Sequence, residues 1–211
     1  MIMKRFLFLL AIATLDPLVG NAQLPRAFGA KVAYSSSRQV FDYSLISVDQ
    51  LRRPSVNAAV FAEWFDGEPF SMVFQCEYAQ RGVGMRFGIT SGSSPEIIRF
   101  ETQYSHVDYL SFPVFAKMYV LKRVVSPYVL AGGRADFRIG YASYKHLLDT
   151  AYEQFSKTIF GATIGAGLEI ADLPIMLEVR YNFDLKDSYK TPGLRVTNNS
   201  IDIWLGIAFT T

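Results

Sequence analysis

The sequence predicts an all-β fold, an eight-stranded antiparallel up-and-down transmembrane β-barrel. Apolar residues recur at every second position in segment after segment, and the rows between them carry charges of both signs among glycines. Long and short connections alternate strictly along the chain. Successive side chains of a strand point to opposite faces, so the first pattern gives strands with one apolar and one polar side. In a membrane barrel the polar side lines the interior, and the long connections all emerge at one end.

The elements follow in order. Residues 27–34 and 57–65 alternate weakly, with Lys31 and Glu63 on their polar faces. Met72, Phe74, Cys76 and Tyr78 oppose Gln75 and Glu77. A longer row runs through Leu110, Phe112, Val114, Ala116, Met118 and Val120, opposite Ser111, Lys117 and Tyr119. Val129, Ala131, Ala135, Phe137, Ile139 and Tyr141 face away from Arg134, Asp136 and Arg138. Phe160, Ala162, Ile164, Ala166, Leu168 and Ile170 oppose Gly161, Thr163, Gly165, Gly167 and Glu169. The clearest segment, "PIMLEVRYNFDL", sets Ile175, Leu177, Val179, Tyr181, Phe183 and Leu185 against Met176, Glu178, Arg180, Asn182 and Asp184. The last row is Ile201, Ile203, Leu205, Ile207 and Phe209, opposite Asp202, Trp204, Gly206 and Ala208. A helix would need apolar residues three and four apart, which these segments do not supply. The long connections are expected at 35–56, 82–106, 142–157 and 186–199, with 97–104 continuing as strand above the bilayer. Tight turns fall at 66–69, 122–126 and 171–174.

Which face meets lipid decides the function. The soluble alternative is a secreted or periplasmic lipocalin-like barrel carrying an apolar ligand, with the apolar rows inside. Rows of five or six apolar residues instead match the roughly 10–11 residues a tilted membrane strand needs. Glycines on the polar face suit a narrow lumen, whereas on a solvent-exposed face they would only weaken the strand. Aromatics gather toward strand ends, at Phe65, Tyr78, Tyr109, Tyr119, Tyr141, Phe160, Phe183, Trp204 and Phe209, as interfacial girdles require.

Bulk composition agrees. Half of the 211 residues are hydrophobic and 15% aromatic, too apolar for a disordered chain. A net charge of +2, without a basic patch, excludes nucleic acid as a partner. Lys4 and Arg5, the apolar stretch 6–15 and the small residues Gly20 and Ala22 have the layout of a signal peptide. The expected organisation is therefore a signal peptide at 1–22 and a barrel domain at 23–211. Cys76 is the single cysteine, so no internal disulfide forms, and it reads as a small apolar strand residue.

The stretch "HVDYLSFPVFAKMYV" followed by "SPYVLAGGRADFRIG" resembles the paired strands of PorT-like outer-membrane β-barrel proteins. The shared pattern is an aromatic-Leu-x-apolar-Pro stretch before a Pro-Tyr strand ending on glycine. "FGATIGAGLEI" followed by "LEVRYNFDL" resembles that family's Gly-x-x-x-Gly-x-Gly strand and its Arg-Tyr strand. The resemblance covers most of the mature chain. It implies an integral outer-membrane protein, some of whose relatives take part in secretion or gliding machinery. The chain departs from the usual barrel ending, because Phe209 is followed by Thr210 and Thr211.

No catalytic, cofactor-binding or metal residues are assigned, and no cofactor is expected. His146 with Asp149 lacks the further ligands a metal needs. His106 with Asp108 at a strand end lacks a third catalytic partner. Gly132-Gly133 is not followed by the lysine and helix of a phosphate loop. The informative charges are those of the inner rows: Lys31, Lys117, Arg134, Arg138 and Arg180 with Glu63, Glu77, Asp136, Glu169, Glu178, Asp184 and Asp202. Eight strands leave an interior just wide enough for side chains, so the expected role is a paired structural core and not an ion path. The expected protein is a monomeric, non-enzymatic outer-membrane barrel with a structural, binding or accessory role. Its expected partners are lipid around the wall and a protein at the external loops.

Overall fold

The computed structural model describes residues 24–43, 50–67, 69–91, 94–142, 152–170, 173–191 and 194–210. The expected signal peptide at 1–22 lies outside these residues, as does most of the connection 142–157. The strands are β1 (Ala27–Tyr43), β2 (Gln50–Gly67), β3 (Phe70–Ser91), β4 (Ser94–Tyr119), β5 (Val125–Ala142), β6 (Thr158–Ile170), β7 (Ile175–Asp184), β8 (Tyr189–Thr191) and β9 (Leu194–Thr210). Each pairs antiparallel with its neighbour in the order β1-β2-β3-β4-β5-β6-β7-β9, and β1 pairs with β9 to close the ring. Eight strands therefore form the wall. The three-residue β8 is an extra piece hydrogen-bonded to the outward end of β9.

The registers fix the barrel's width. One circuit of paired residues runs from Phe28 through Ala62, Phe74, Val114, Gly133, Ala162, Phe183 and Asn199. It returns to β1 at Arg38, ten residues from its start. With eight strands and that stagger, strand spacing and rise give a tilt of about 40° and a backbone radius of about 8 Å. Arginine and tyrosine side chains are nearly that long, so inward residues from opposite walls meet at the axis.

The faces fall as the alternation requires. On β7, Met176, Glu178, Arg180 and Asn182 are buried while Ile175, Leu177, Val179 and Tyr181 are exposed. The same holds for Asp202 and Trp204 against Ile201, Ile203, Leu205 and Ile207 on β9. On β4 the outward row from Leu110 to Val120 rises about 25 Å at that tilt, the height of an outer-membrane apolar band. An apolar-lined lumen of the carrier type is not what this wall builds. Close approach explains two inner glycines. A Cβ at Gly161 would lie 2.5 Å from the Arg134 guanidinium, and one at Gly167 would lie 2.5 Å from the Tyr128 ring.

Two expectations are corrected. Most of the connections at 35–56, 82–106 and 186–199 are not loops. β1 pairs with β9 out to Tyr43–Leu194, β3 with β4 out to Ser91–Ser94, and β8 with β9 at Tyr189–Val196. Above the bilayer the outer face of a strand meets water while the inner face stays buried with polar residues such as Ser37 and Gln39 among it, so the hydrophobic alternation stops while the backbone ladder continues. The aromatic girdle is also thinner than expected. Tyr109, Tyr119 and Trp204 point inward and are buried, whereas Phe65, Tyr78, Phe160 and Phe209 do face outward.

Candidate functional site

The lumen holds the charges in three tiers. At the short-turn end, Glu63 accepts hydrogen bonds from Lys117 Nζ at 3.0 Å and the Tyr119 hydroxyl at 3.2 Å. Glu169 accepts from the same two residues across the barrel. At mid-height Glu178 gathers Lys31 at 3.2 Å, the Tyr128 hydroxyl at 2.8 Å and an ion pair with Arg180. Arg180 donates onward to Gln75 at 3.1 Å, and Gln75 donates to Glu77 at 2.9 Å. Higher still, Asp136 pairs with both Arg81 and Arg134, and Arg134 donates to Asp184 at 2.6 Å. Asp202 accepts from Ser35 and from Asn182.

Packing closes the remaining space. The Arg180 guanidinium lies 4.5 Å from the Phe115 ring centre and 5.2 Å from that of Trp204. Lys31 sits 4.8 Å from the Phe61 ring centre. Buried charges at low dielectric require partners, and each of these cations has an acidic one or an aromatic face or both.

Above the charged tiers the lumen turns apolar. Val107, Tyr109, Tyr152, Phe155, Ile159 and Val196 form a buried cluster at the outward mouth. Tyr152 and Phe155 come from the described end of the connection between β5 and β6, residues 152–157, and their rings sit in the barrel mouth. Their rings stack at 4.8 Å, and Phe155 stacks on Tyr189 at 5.5 Å. Arg138 anchors the segment by donating to the backbone carbonyls of Tyr152 and Glu153, and Tyr152 donates its hydroxyl to Gln39 at 2.9 Å.

The inner set expected from sequence is thus assembled in the lumen, with Arg138 at its upper edge. Two contributors were missed. Arg81 sits where the chain was expected to leave the wall, and the Tyr152–Phe155 plug carries no periodic signal. His106 and Asp108 do come together, with Nε2 and Oδ1 3.7 Å apart on the outer face. Ser105 points to the other face and is buried in the lumen, so no hydroxyl nucleophile from that stretch joins them. His146 and Asp149 lie outside the described residues. No cluster of three metal-ligating side chains occurs among the described residues.

Beyond the barrel rim β3 and β4 continue as a two-stranded ribbon. β3 pairs with β2 only as far as Met85, and β4 pairs with β5 only as far as His106. Among the described residues the two arms beyond those points pair in the sheet with each other and with no third strand. Arg86 stacks on Phe100 at 4.3 Å, and Arg99, Glu101 and Tyr104 are exposed.

A closed ring of eight tilted strands, apolar outside and charged within, defines an integral outer-membrane β-barrel. The chain belongs to the outer membrane protein β-barrel domain family, whose model matches residues 21–190. It sits in the outer membrane. No curated protein matches the sequence. Among solved structures it is similar to Ail, the attachment invasion locus protein of Yersinia pestis, in complex with the heparin analogue sucrose octasulfate. Identity there is 16%, coverage is 89% of this chain and all of that one, and the TM-score is 0.44. Neisserial surface protein A is similar at 14% identity, covering 87% and 99%, with a TM-score of 0.43. The outer-membrane enzyme PagL is similar at 14% identity, covering 83% and 98%, with a TM-score of 0.45.

Proposed function

We propose that the protein is a non-conducting, non-enzymatic, monomeric outer-membrane barrel of PorT-like type that serves as a binding or accessory component at the cell surface. The observation that carries this reading is the pairing of a filled lumen with a two-stranded ribbon that projects past the rim. The wall is committed to lipid and to its own core, so recognition falls to what projects beyond it. An unpaired strand edge offers a row of backbone donors and acceptors to an extended segment of another protein. The motif resemblance to PorT-like barrels supports a place in secretion.

Site-specific photo-crosslinking in cells tests it. A crosslinker at Tyr104 should trap a discrete partner that disappears when residues 86–101 are replaced by a short turn. Heat-modifiable gel mobility checks that the shortened barrel still folds. Wild-type crosslinking that persists with the ribbon removed would reject the ribbon as the recognition element. Loss of secreted cargo in a deletion strain, restored by wild type but not by the shortened chain, is the expected cellular result.

A further inference from the structure

At the outward end of the barrel, the plug segment 154–156 and residues 186–190 enclose a pocket of about 460 Å³. Gln154, Ser156, Lys186, Asp187, Tyr189 and Lys190 line it. The second segment follows Leu185, an exposed apolar residue, so the pocket opens past the lipid-facing row of β7. Its volume falls in the range of small-molecule sites.

The lumen network beneath holds the pocket in shape. Ser188 donates its hydroxyl to Asp184 Oδ2 at 2.7 Å and accepts from Asn198 Nδ2 at 2.6 Å, while Arg134 holds the other Asp184 oxygen. The Ser156 N–H donates to the Ser188 carbonyl at 2.8 Å and so joins the two sides. The Tyr189 ring lies on Phe155, and its hydroxyl donates to Gln154 Oε1 at 3.3 Å. Walls fixed this way lose little freedom when a ligand enters. The charge is unbalanced. Asp187, the one acid among the described lining residues, accepts from Arg195 Nη2 at 3.0 Å and Nε at 3.3 Å, and lies 3.9 Å from Lys190. Lys186 makes no ion pair or side-chain hydrogen bond among the described residues. Three cations therefore stand around one carboxylate, and both lysines are exposed.

We infer that this pocket binds an acidic saccharide, a sugar unit that carries a carboxylate, at the cell surface. A sugar ring has an apolar C–H face that packs on an aromatic ring such as Tyr189. Its rim of hydroxyls matches Gln154, Ser156 and the remaining lone pairs of Asp187. The carboxylate takes charge-assisted hydrogen bonds from Lys186 and Lys190. A phospholipid would need an apolar wall for its chains, and this lining has none. An acidic peptide would use the lysines and leave the ring face idle. The site stands apart from the ribbon and goes beyond that reading of recognition.

The full chain, folded in a non-ionic detergent, is titrated with tetragalacturonate and with neutral maltotetraose, and calorimetry reads the affinities. Wild type should bind the acidic tetramer about tenfold more tightly than the neutral one. Lys186→Gln/Lys190→Gln should lose that preference at unchanged heat-modifiable mobility, because both side chains are exposed. Lys122→Gln/Arg123→Gln, exposed at the short-turn end, removes the same charge and should leave binding unchanged. No binding of tetragalacturonate by wild type, or equal binding by the Lys186/Lys190 variant, would overturn the site. Equal loss in the short-turn variant would reduce the effect to net charge and overturn it as well. Tetraglutamate binding as tightly as tetragalacturonate would make the pocket a general carboxylate site and overturn the saccharide assignment.

Discussion

The lumen is charged at mid-height and apolar at its outward mouth, the reverse of what depth in a soluble protein would lead one to expect. At mid-height the wall is surrounded by hydrocarbon, so one apolar row goes outside, and the polar groups within satisfy each other around a packed cluster that includes Phe61, Phe115, Leu130 and Met176. Glu178 does so with Lys31, Arg180 and Tyr128 together. At the mouth the wall stands in water, and the interior reverts to a conventional core of Tyr152, Phe155, Ile159 and Val196. The two regions also differ in connection. The charged tiers hang on wall strands alone, while Tyr152 and Phe155 belong to the connection between β5 and β6, outside the ladder.

Substitutions sharpen that comparison. Arg180→Leu strands Glu178 and Gln75 at mid-height and should cost about 3–5 kcal/mol, read by urea unfolding from lipid vesicles. A loss below about 0.5 kcal/mol, the level of a surface swap, would break the claim that this tier is a closed network. Leu177→Arg, one strand position outward from Glu178, should cost about 2–4 kcal/mol because it faces lipid. At the mouth Phe155→Ala should lower global stability by less than about 1 kcal/mol, since local opening precedes wall unfolding. It should still accelerate proteolysis near Tyr152 at unchanged gel mobility. Lys190→Ala, at an exposed partner of Asp187 3.9 Å away, should stay within about 0.5 kcal/mol.

The two regions were also unequally legible in the sequence. The charged tiers could be read because lipid enforces strict alternation, so Glu178, Arg180 and Asp202 were placed inside by parity alone. The aromatics were read from their place near strand ends, as a girdle requires, although Tyr109, Tyr119 and Trp204 share the parity of the inner rows, and parity is what points them into the lumen. Above the membrane the constraint vanishes. The paired segments at 35–43 and 50–56, and the ribbon's arms, carry polar residues on both faces and read as loops although their ladders continue. Arg53, which donates to the outward Gln80, departs from parity because the β2–β3 register shifts by one residue between Arg52 and Ala58, a backbone event with no periodic trace. The plug was invisible for a related reason, since Tyr152 and Phe155 find their partners on β1, β4 and β9 and not in their own segment.

The central claim is that the lumen is a core and not a passage. A radius of about 8 Å holding Arg134, Arg180, Tyr128 and Trp204, with Tyr152 and Phe155 at the mouth, should leave no continuous water column. Single-channel recording of the purified full chain in a planar bilayer tests this most directly. The barrel should insert and show no stable conductance steps at any applied voltage the bilayer withstands, and Phe155→Ala should stay equally silent because the charged tiers below remain shut. Reproducible steps in wild type, abolished by substituting Arg134 or Arg180, would show that those arginines line a pore and would contradict the account.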